Sequence, residues 1–530
     1  MSVRLLHHLV AAQAETRPEA TALVMADQRM TYGALEAMSN RLARLLRAQG
    51  CREGDRVCLL LPKSLHALTA IQAVLKAGCV YVPMDPASPA LRAARIVESC
   101  RPRVILITAA TGRLMEEIAA ESPAARAARI GLIGPQSWPG VHFEAAEALG
   151  LPESAPDVRR GPEDAAHILF TSGSTGLPKG VVITHANALS FVEWGVDYFG
   201  IGKADRLSGH PPLHFDLSTF DMFGSFRAGA ELHLVAPELN LLPNKLAEFI
   251  RSSALTQWFS VPSVMSLMAK AGVIRDGDFP SLKRVLWCGE VLPTSSLIHW
   301  MRRLPHVRFT NLYGPTEATI ASSYYTVPAC PSDERAAIPI GRPCGGEDLL
   351  VLDEEMRPTP PGEVGDLYIA GVGLSPGYWQ DPEKTRGVFL PHPFSPGRVY
   401  KTGDLARLGE DGLIHFVGRA DSQIKSRGYR IELGEIEAAL DALGILKEAA
   451  VVAVQSGGFD GATICCAYVP AEDHDLNPKD LRKALSRHLP AYMLPTRWAA
   501  YRMLPKNANG KIDRPRLKED MSASPEKADA

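Results

Sequence analysis

Eleven residues carry an unusual density of groups that bind anions: Phe170-Thr-Ser-Gly-Ser-Thr-Gly-Leu-Pro-Lys-Gly180. Three glycines free the backbone to turn its amides toward one point, and no Cβ blocks the approach of a ligand. Four hydroxyls can donate to phosphate oxygens, and Lys179 adds a positive charge. Apolar runs at Ile168–Phe170 and Val181–Ile183 predict a strand on each side. The order Lys-Gly, followed by a strand, is not the Gly-Lys-Ser/Thr ending and helix of a Walker A loop. The chemistry is therefore that of a phosphate-binding loop of another kind.

Other polar residues stand in short turn-like segments. Thr316 and Glu317 follow Tyr313-Gly-Pro, and Asp404 follows Thr402-Gly403. Asp216 lies in His214-Phe-Asp-Leu-Ser218, and Lys511 closes Asn507-Ala-Asn-Gly-Lys. Read singly, these are a Pro/Gly turn, a solvated turn aspartate, a helix cap near Ser218 and an exposed lysine. A carboxylate beside phosphate oxygens could equally hold a hard cation such as Mg²⁺.

The elements that must position these groups follow from hydrophobic periodicity. Residues 33–50 and 65–77 carry helical spacing, whereas Val57–Leu61, Cys79–Val82, Val104–Ile107 and Leu232–Ala236 are short apolar runs. Strands alternating with helices predict an α/β fold with largely parallel sheets. Residues 340–418 change character to short strands between Gly, Pro and Asp turns, a mostly antiparallel section. Helices over 435–442 and 478–488, with strands near 449–454 and 463–469, predict a small α+β unit. The polar tail from Met521 is expected to fray.

The motifs together resemble the adenylate-forming superfamily of acyl- and aryl-CoA ligases, luciferases and nonribosomal peptide adenylation domains. Beside the phosphate loop stand Asn311-Leu-Tyr-Gly-Pro-Thr-Glu-Ala-Thr319, Tyr400-Lys-Thr-Gly-Asp-Leu405, Gly418-Arg-Ala-Asp-Ser-Gln-Ile-Lys425, Arg427-Gly-Tyr-Arg-Ile-Glu-Leu-Gly-Glu-Ile-Glu437 and Pro505-Lys-Asn-Ala-Asn-Gly-Lys511. Weaker likenesses at Met30–Leu35 and Leu75–Pro83 extend the match over nearly the whole chain. The resemblance implies a large N-terminal domain of packed α/β subdomains with a β-rich section, residues 1–420. It implies a small mobile α+β lid over 421–530, hinged at Asp421.

It also implies roles. Thr171, Ser172, Gly173, Ser174, Thr175, Gly176 and Lys179 would hold the ATP phosphates. Asn311 and Tyr313 would contact adenine, by hydrogen bonding and stacking respectively. Asp404, with Arg419, would hold the ribose. Thr316 would touch the α-phosphate, Glu317 would attend Mg²⁺, and Lys511 would stabilise the charge that builds up as a carboxylate attacks phosphorus. Lid rotation would then withdraw Lys511 and bring Arg427-Gly428 to the site, where Gly428 leaves room for a pantetheine arm.

Asp216 matches the aspartate that holds the substrate ammonium in amino-acid-activating members. The remaining pocket positions by this register are Leu217, Phe220, Phe259, Leu286, Cys288, Leu312, Ile320 and Ala321. All are apolar or nearly so, which implies a small or medium apolar amino acid such as proline, alanine or a β-amino acid. The pattern resembles stand-alone proline-activating enzymes and D-alanine–carrier-protein ligases. The expected reaction is ATP-dependent adenylation followed by transfer to the phosphopantetheine thiol of a separate carrier protein, with free CoA as the other acceptor. No condensation motif precedes the domain and no phosphopantetheine attachment site follows it, which implies a free-standing ligase. The alternatives are an acyl- or aryl-CoA ligase, disfavoured by Asp216, and an inactive homologue, disfavoured by the full motif set.

Composition agrees with a soluble enzyme and excludes other classes. A net charge of −2 gives no electrostatic attraction to nucleic acid or an anionic membrane. No apolar run reaches membrane-span length, and Met1-Ser-Val-Arg-Leu-Leu-His-His lacks a signal peptide's apolar core. Nine scattered cysteines without a CxxC pair fit a reducing cytoplasm, and Cys465-Cys466 fits packing.

Overall fold

A computed structural model describes residues 5–173, 177–455, 462–471, 476–507 and 512–523. Two large sheets form the body. The first has nine strands in the order Arg342–Pro343, Ser323–Thr326, Arg308–Tyr313, Arg284–Cys288, Gln257–Ser260, Arg206–Gly209, Glu231–Leu234, Thr21–Met25 and Gln28–Thr31. Its centre is parallel and its edges are antiparallel. The second has eight strands, with Arg56–Leu60 flanked by Val80–Pro83 and Val104–Ile107 in parallel. The alternating pattern of the sequence thus gives the α/β body it predicts.

The helices Leu65–Lys76 and Leu217–Ala228 fill the space between these sheets. The first touches Thr21–Met25 of one sheet and both Arg56–Leu60 and Val80–Pro83 of the other. It is buried on all sides except His66, and this explains its apolar sequence, LHALTAIQAVLK. Lys63 ties the sheets together. Its ammonium donates to the carbonyls of Gly209 at 2.8 Å, His210 at 2.6 Å and Val235 at 3.2 Å. These carbonyls lie at the C-terminal ends of two strands of the first sheet, where strand pairing has run out.

Residues 347–419 form the expected antiparallel sheet: Glu347–Leu352, Val364–Gly371, Arg398–Leu408, Phe389–Pro391 and Ile414–Arg419. The C-terminal part holds a two-stranded hairpin, Gln423–Ser426 with Tyr429–Glu432, and a three-stranded sheet against the helices Leu433–Asp441, Pro478–Leu485 and Arg514–Ala523. The expected fraying does not begin at Met521, which lies in the helix Arg514–Ala523; the tail beyond it lies outside the described residues. Met521 is buried beside Leu504 and Leu517, because that last helix covers the outer face of the small sheet. Cys465 and Cys466 are adjacent strand residues and face opposite cores, so they pack rather than pair.

Several histidines are sealed in the body. His167, stacked on Tyr81 at 4.8 Å, has its imidazole lowered to about 3 by burial and, secondarily, by His185. Folded His167 is therefore neutral. The unfolded chain takes up a proton below about pH 6.5, so stability is complete above that pH and is lost as pH falls toward 3. Wild-type protein should lose about 1.4 kcal/mol more than His167→Gln between pH 7.5 and 5.5. Urea denaturation of both proteins at the two pH values measures this, and parallel pH dependences would contradict a neutral buried imidazole.

Candidate active site

Those predicted site residues that are described gather around the C-terminal ends of the parallel strands Gln257–Ser260, Arg284–Cys288 and Arg308–Tyr313. Strand ends in open α/β sheets leave a crevice there. The phosphate loop enters from the second sheet, between the antiparallel strands Ala165–Thr171 and Lys179–Thr184. The antiparallel sheet contributes Asp404.

Glu317 lies at the centre, fully buried on a short 3₁₀ turn, Thr316–Ala318. Lys179 Nζ lies 3.1 Å from its Oε1, the Tyr378 hydroxyl donates to the same oxygen at 2.8 Å, and Arg430 Nη1 donates to Oε2 at 2.7 Å. Burial alone would push this carboxyl up. Arg430 and then Lys179 more than reverse that and hold it well below the usual carboxylate range. The turn is held tightly. A Cβ on Gly314 would meet Ala321 Cα at 2.5 Å, so the chain can double back only at glycine. Thr319 and Ile320 both adopt positive φ, +56° and +73°. That is costly for a β-branched residue, and it is fixed by Thr319 Oγ1 donating to the Gly373 carbonyl at 2.6 Å. A buried carboxylate whose cation partners favour its charged form, beside a lysine and a hydroxyl-rich loop, is a group that would hold Mg²⁺.

Asp404 anchors a second cluster. The Tyr313 hydroxyl donates to its Oδ2, and Arg419 Nη1 donates to its Oδ1 at 2.7 Å. Arg419 also grips Asp421 through two bonds of 2.9 and 2.5 Å. The expected ribose and hinge residues are therefore linked by one guanidinium. Asn311 donates to the Pro339 carbonyl at 2.8 Å, and the ammonium of Lys425 lies 5.8 Å from the centre of the Tyr313 ring.

Asp216 stands immediately before the helix Leu217–Ala228 but makes no side-chain cap. Its Oδ2 instead accepts the Thr316 hydroxyl at 2.7 Å, joining the specificity segment to the Glu317 turn. Burial raises its carboxyl, and the Thr316 bond only partly offsets this. A carboxylate in that position is completed by a cation. The apolar residues Leu217, Phe220, Phe259, Leu286, Cys288, Leu312, Ile320 and Ala321 are all buried in one cluster beside it. Strand register explains the grouping: Phe259 pairs with Leu286, and Cys288 with Leu312, across adjacent parallel strands. Burial also pushes the Cys288 thiol up to about 12, so it lines the wall as an apolar thiol.

The C-terminal hairpin closes over this site. The Ser172 hydroxyl donates to the Arg430 carbonyl at 2.6 Å, and Glu435 Oε2 accepts the Gly173 amide at 3.3 Å. Glu435 also forms a buried ion pair with Arg92 of the N-terminal body. Thr171 Oγ1 is buried without a hydrogen-bond partner among the described residues. Ser174, Thr175, Gly176 and Lys511 lie outside the described residues. Arg430, Tyr378, Arg92 and Glu435 received no role from sequence. Arg430 and Glu435 both stand inside the quoted Arg427–Glu437 motif, and their charge there was the available signal.

Residues 10–379 match the AMP-binding enzyme family, and residues 435–511 match the AMP-binding enzyme C-terminal domain. The L-proline–[L-prolyl-carrier protein] ligase of Pseudomonas fluorescens is 34% identical over 97% of this chain and 98% of its own length. Tyrocidine synthase 3 of Brevibacillus parabrevis is 35% identical over 96% of this chain, which spans only 7% of that protein. The Vibrio cholerae adenylation domain AlmE, solved in complex with glycyl-adenosine-5'-phosphate, superposes with a TM-score of 0.82 and 25% identity, covering 99% of both chains. The amide bond synthetase McbA of Marinactinospora thermotolerans gives a TM-score of 0.87 at 25% identity, covering 97% of this chain and 99% of that one. Motif order, a shared two-part fold and these likenesses along nearly the full length lead to one conclusion: the chain belongs to the AMP-binding enzyme family.

Proposed function

We propose that this protein activates a small or medium apolar amino acid with ATP and passes the aminoacyl group to the phosphopantetheine thiol of a separate carrier protein. The observation that carries the reading is Asp216: a carboxylate raised by burial, at the boundary between an apolar wall and the Glu317 turn. A substrate whose ammonium meets Asp216 and whose side chain enters the Phe220–Phe259–Leu286 wall would present its carboxylate toward Thr316 and the nucleotide. The carrier ligase relative and the glycyl-adenylate bound to AlmE support an amino-acid substrate. The two phenylalanines and Leu286, Leu312 and Ile320 favour proline or another small apolar amino acid.

In the first half-reaction a carboxylate oxygen attacks the α-phosphorus and pyrophosphate leaves. Two anions must meet, so the site's work is to mask charge. Lys179 and the phosphate loop would hold the β- and γ-phosphates, Thr316 the α-phosphate, Asn311 and Tyr313 the adenine, and Asp404 with Arg419 the ribose. Mg²⁺, when bound near Glu317, would neutralise phosphate charge. Lys511 would stabilise the developing charge from a lid running from Asp421 to the C-terminus. In the second half-reaction the acceptor thiolate attacks the acyl carbonyl and AMP leaves. The hairpin tip at Arg427-Gly428 lies on the N-terminal body here, which supports assigning this lid orientation to thiol transfer. In that orientation Arg430 neutralises Glu317.

Amino-acid-dependent pyrophosphate exchange over a panel of proline, D-alanine, glycine, β-alanine and β-amino acids tests the substrate class. If only des-amino acids support exchange, an acyl- or aryl-CoA ligase replaces this reading. Asp216→Ala should lower kcat/KM for the amino acid by about two to four orders of magnitude, the roughly 3–5 kcal/mol cost of leaving a buried charge unpaired. KM for ATP should hardly change. A lowered Tm with unaltered substrate preference would instead make Asp216 structural. Asp404→Ala removes the partner of both Tyr313 and Arg419 and should raise KM for ATP, read from exchange at varied ATP. Asp421→Pro fixes φ where the lid must swing, so exchange should survive better than transfer to thiol. Equal losses in the two assays would remove the hinge role.

A further inference from the structure

The hairpin that reaches the site has a tip of only two residues. Ser426 pairs with Tyr429, leaving Arg427 and Gly428 as the turn, at φ of +52° and +81°. Two consecutive positive φ values mark a type I′ turn, which makes a rigid, narrow tip. Gly428 rests on Val261, where a Cβ would come within 2.6 Å of Val261 Cγ1. This contact leaves the Gly428 N–H facing the N-terminal body, where Glu290 Oε1 accepts it at 2.8 Å.

Glu290 is held from the other side. Its Oε2 accepts the amide of Ser263 at 3.1 Å, in the first turn of the helix Pro262–Lys270. That helix starts at Val261, which has no side chain able to cap it. Glu290 supplies the missing acceptor from the loop after the strand Arg284–Cys288, and the positive end of the helix favours its charge. One carboxylate therefore fixes two amides, one from the body and one from the lid. Its body contact, the Ser263 amide, is independent of the hairpin. A neutral side chain of the same shape offers one acceptor oxygen for two converging N–H groups.

We infer that Glu290 is a positioning residue for the second half-reaction, the receptor that registers the hairpin tip when the lid adopts the orientation seen here. The inference rests on the reading of that orientation given above. Among the described residues Glu290 bonds to the amides of Ser263 and Gly428 and to no member of the apolar wall or the Glu317 cluster, so it acts through Gly428. It sets where the tip stands beside the route of the thiol. Other contacts hold the lid elsewhere: Glu435 on Arg92 of the helix Ala90–Cys100, and Arg430 on Glu317 of the Thr316–Ala318 turn. Glu290 alone among these acts at the hairpin tip.

The test compares Glu290→Ala, Glu290→Gln and Gly428→Ala in the full chain, using the amino acid that supports the fastest pyrophosphate exchange. Exchange reports adenylation. Single-turnover aminoacyl transfer from preformed adenylate to pantetheine reports the second step. Glu290→Ala should slow transfer about tenfold, the scale of one charge-assisted hydrogen bond, with exchange within about twofold of wild type. Glu290→Gln should recover part of the loss. Gly428→Ala should also slow transfer, because its Cβ collides with Val261. If Glu290→Ala lowers Tm and slows both steps alike, Glu290 is a helix cap and the inference is overturned. If Gly428→Ala slows transfer while Glu290→Ala does not, the inference fails and the lid reading stands. If neither variant alters transfer, both fail.

Discussion

The neutralisation of Glu317 is the constraint around which the site is organised. A fully buried carboxylate is tolerated only with cations and hydrogen bonds in contact. This one recruits Lys179 from the phosphate loop, Tyr378 from the edge of the second sheet and Arg430 from the C-terminal hairpin. Three separate parts of the chain are thereby fixed to a turn that springs from the end of a strand in the first sheet. The strained backbone at Thr319 and Ile320 belongs to the same turn, so one short segment sets both the charge centre and part of the apolar wall.

Ion pairs also give the C-terminal unit its defined place on the body. Glu317–Arg430 and Arg92–Glu435 join the two parts through charges that are buried when the lid lies down. Breaking such pairs is costly in isolation, because it strands charges in a low-dielectric interior. The cost falls if another ion takes over the abandoned partner. On the proposed cycle, phosphates would replace Glu435 at the Gly173 amide, and a metal would replace Arg430 at Glu317. The same groups would then serve nucleotide and lid in turn, and the proposed lid position and nucleotide occupancy would be linked without a separate regulatory element.

Asp216 shows how position and role can part. It occupies the residue before a helix, where an aspartate ordinarily caps free amides. The side chain turns away to Thr316, 100 residues further along the chain. Local sequence left a cap open, and the packing of the Glu317 turn against this segment draws the side chain to Thr316 instead. Met521 is a parallel case: polar neighbours argued for a frayed tail, whereas the small sheet's outer face needed a cover and took that helix turn.

The sequence by itself determined the elements and the chemical inventory. Helical spacing over 65–77 became Leu65–Lys76, the apolar runs around the phosphate loop became an antiparallel strand pair, and the turn-rich stretch from 340 became an antiparallel sheet. These signals are local, because propensity and periodicity act over a few residues. Motif order also named Glu317, Asp404 and Asp216 before any geometry was available. The tertiary structure decided which groups meet. Nothing near Arg430 announces a carboxylate 113 residues away, and nothing near Lys63 announces three carbonyls at the ends of two distant strands. Such contacts leave no periodic trace, since each is a single pair fixed by sheet order and chain crossing. The energy of burying a charge makes those pairings obligatory only once the fold has removed water from around them.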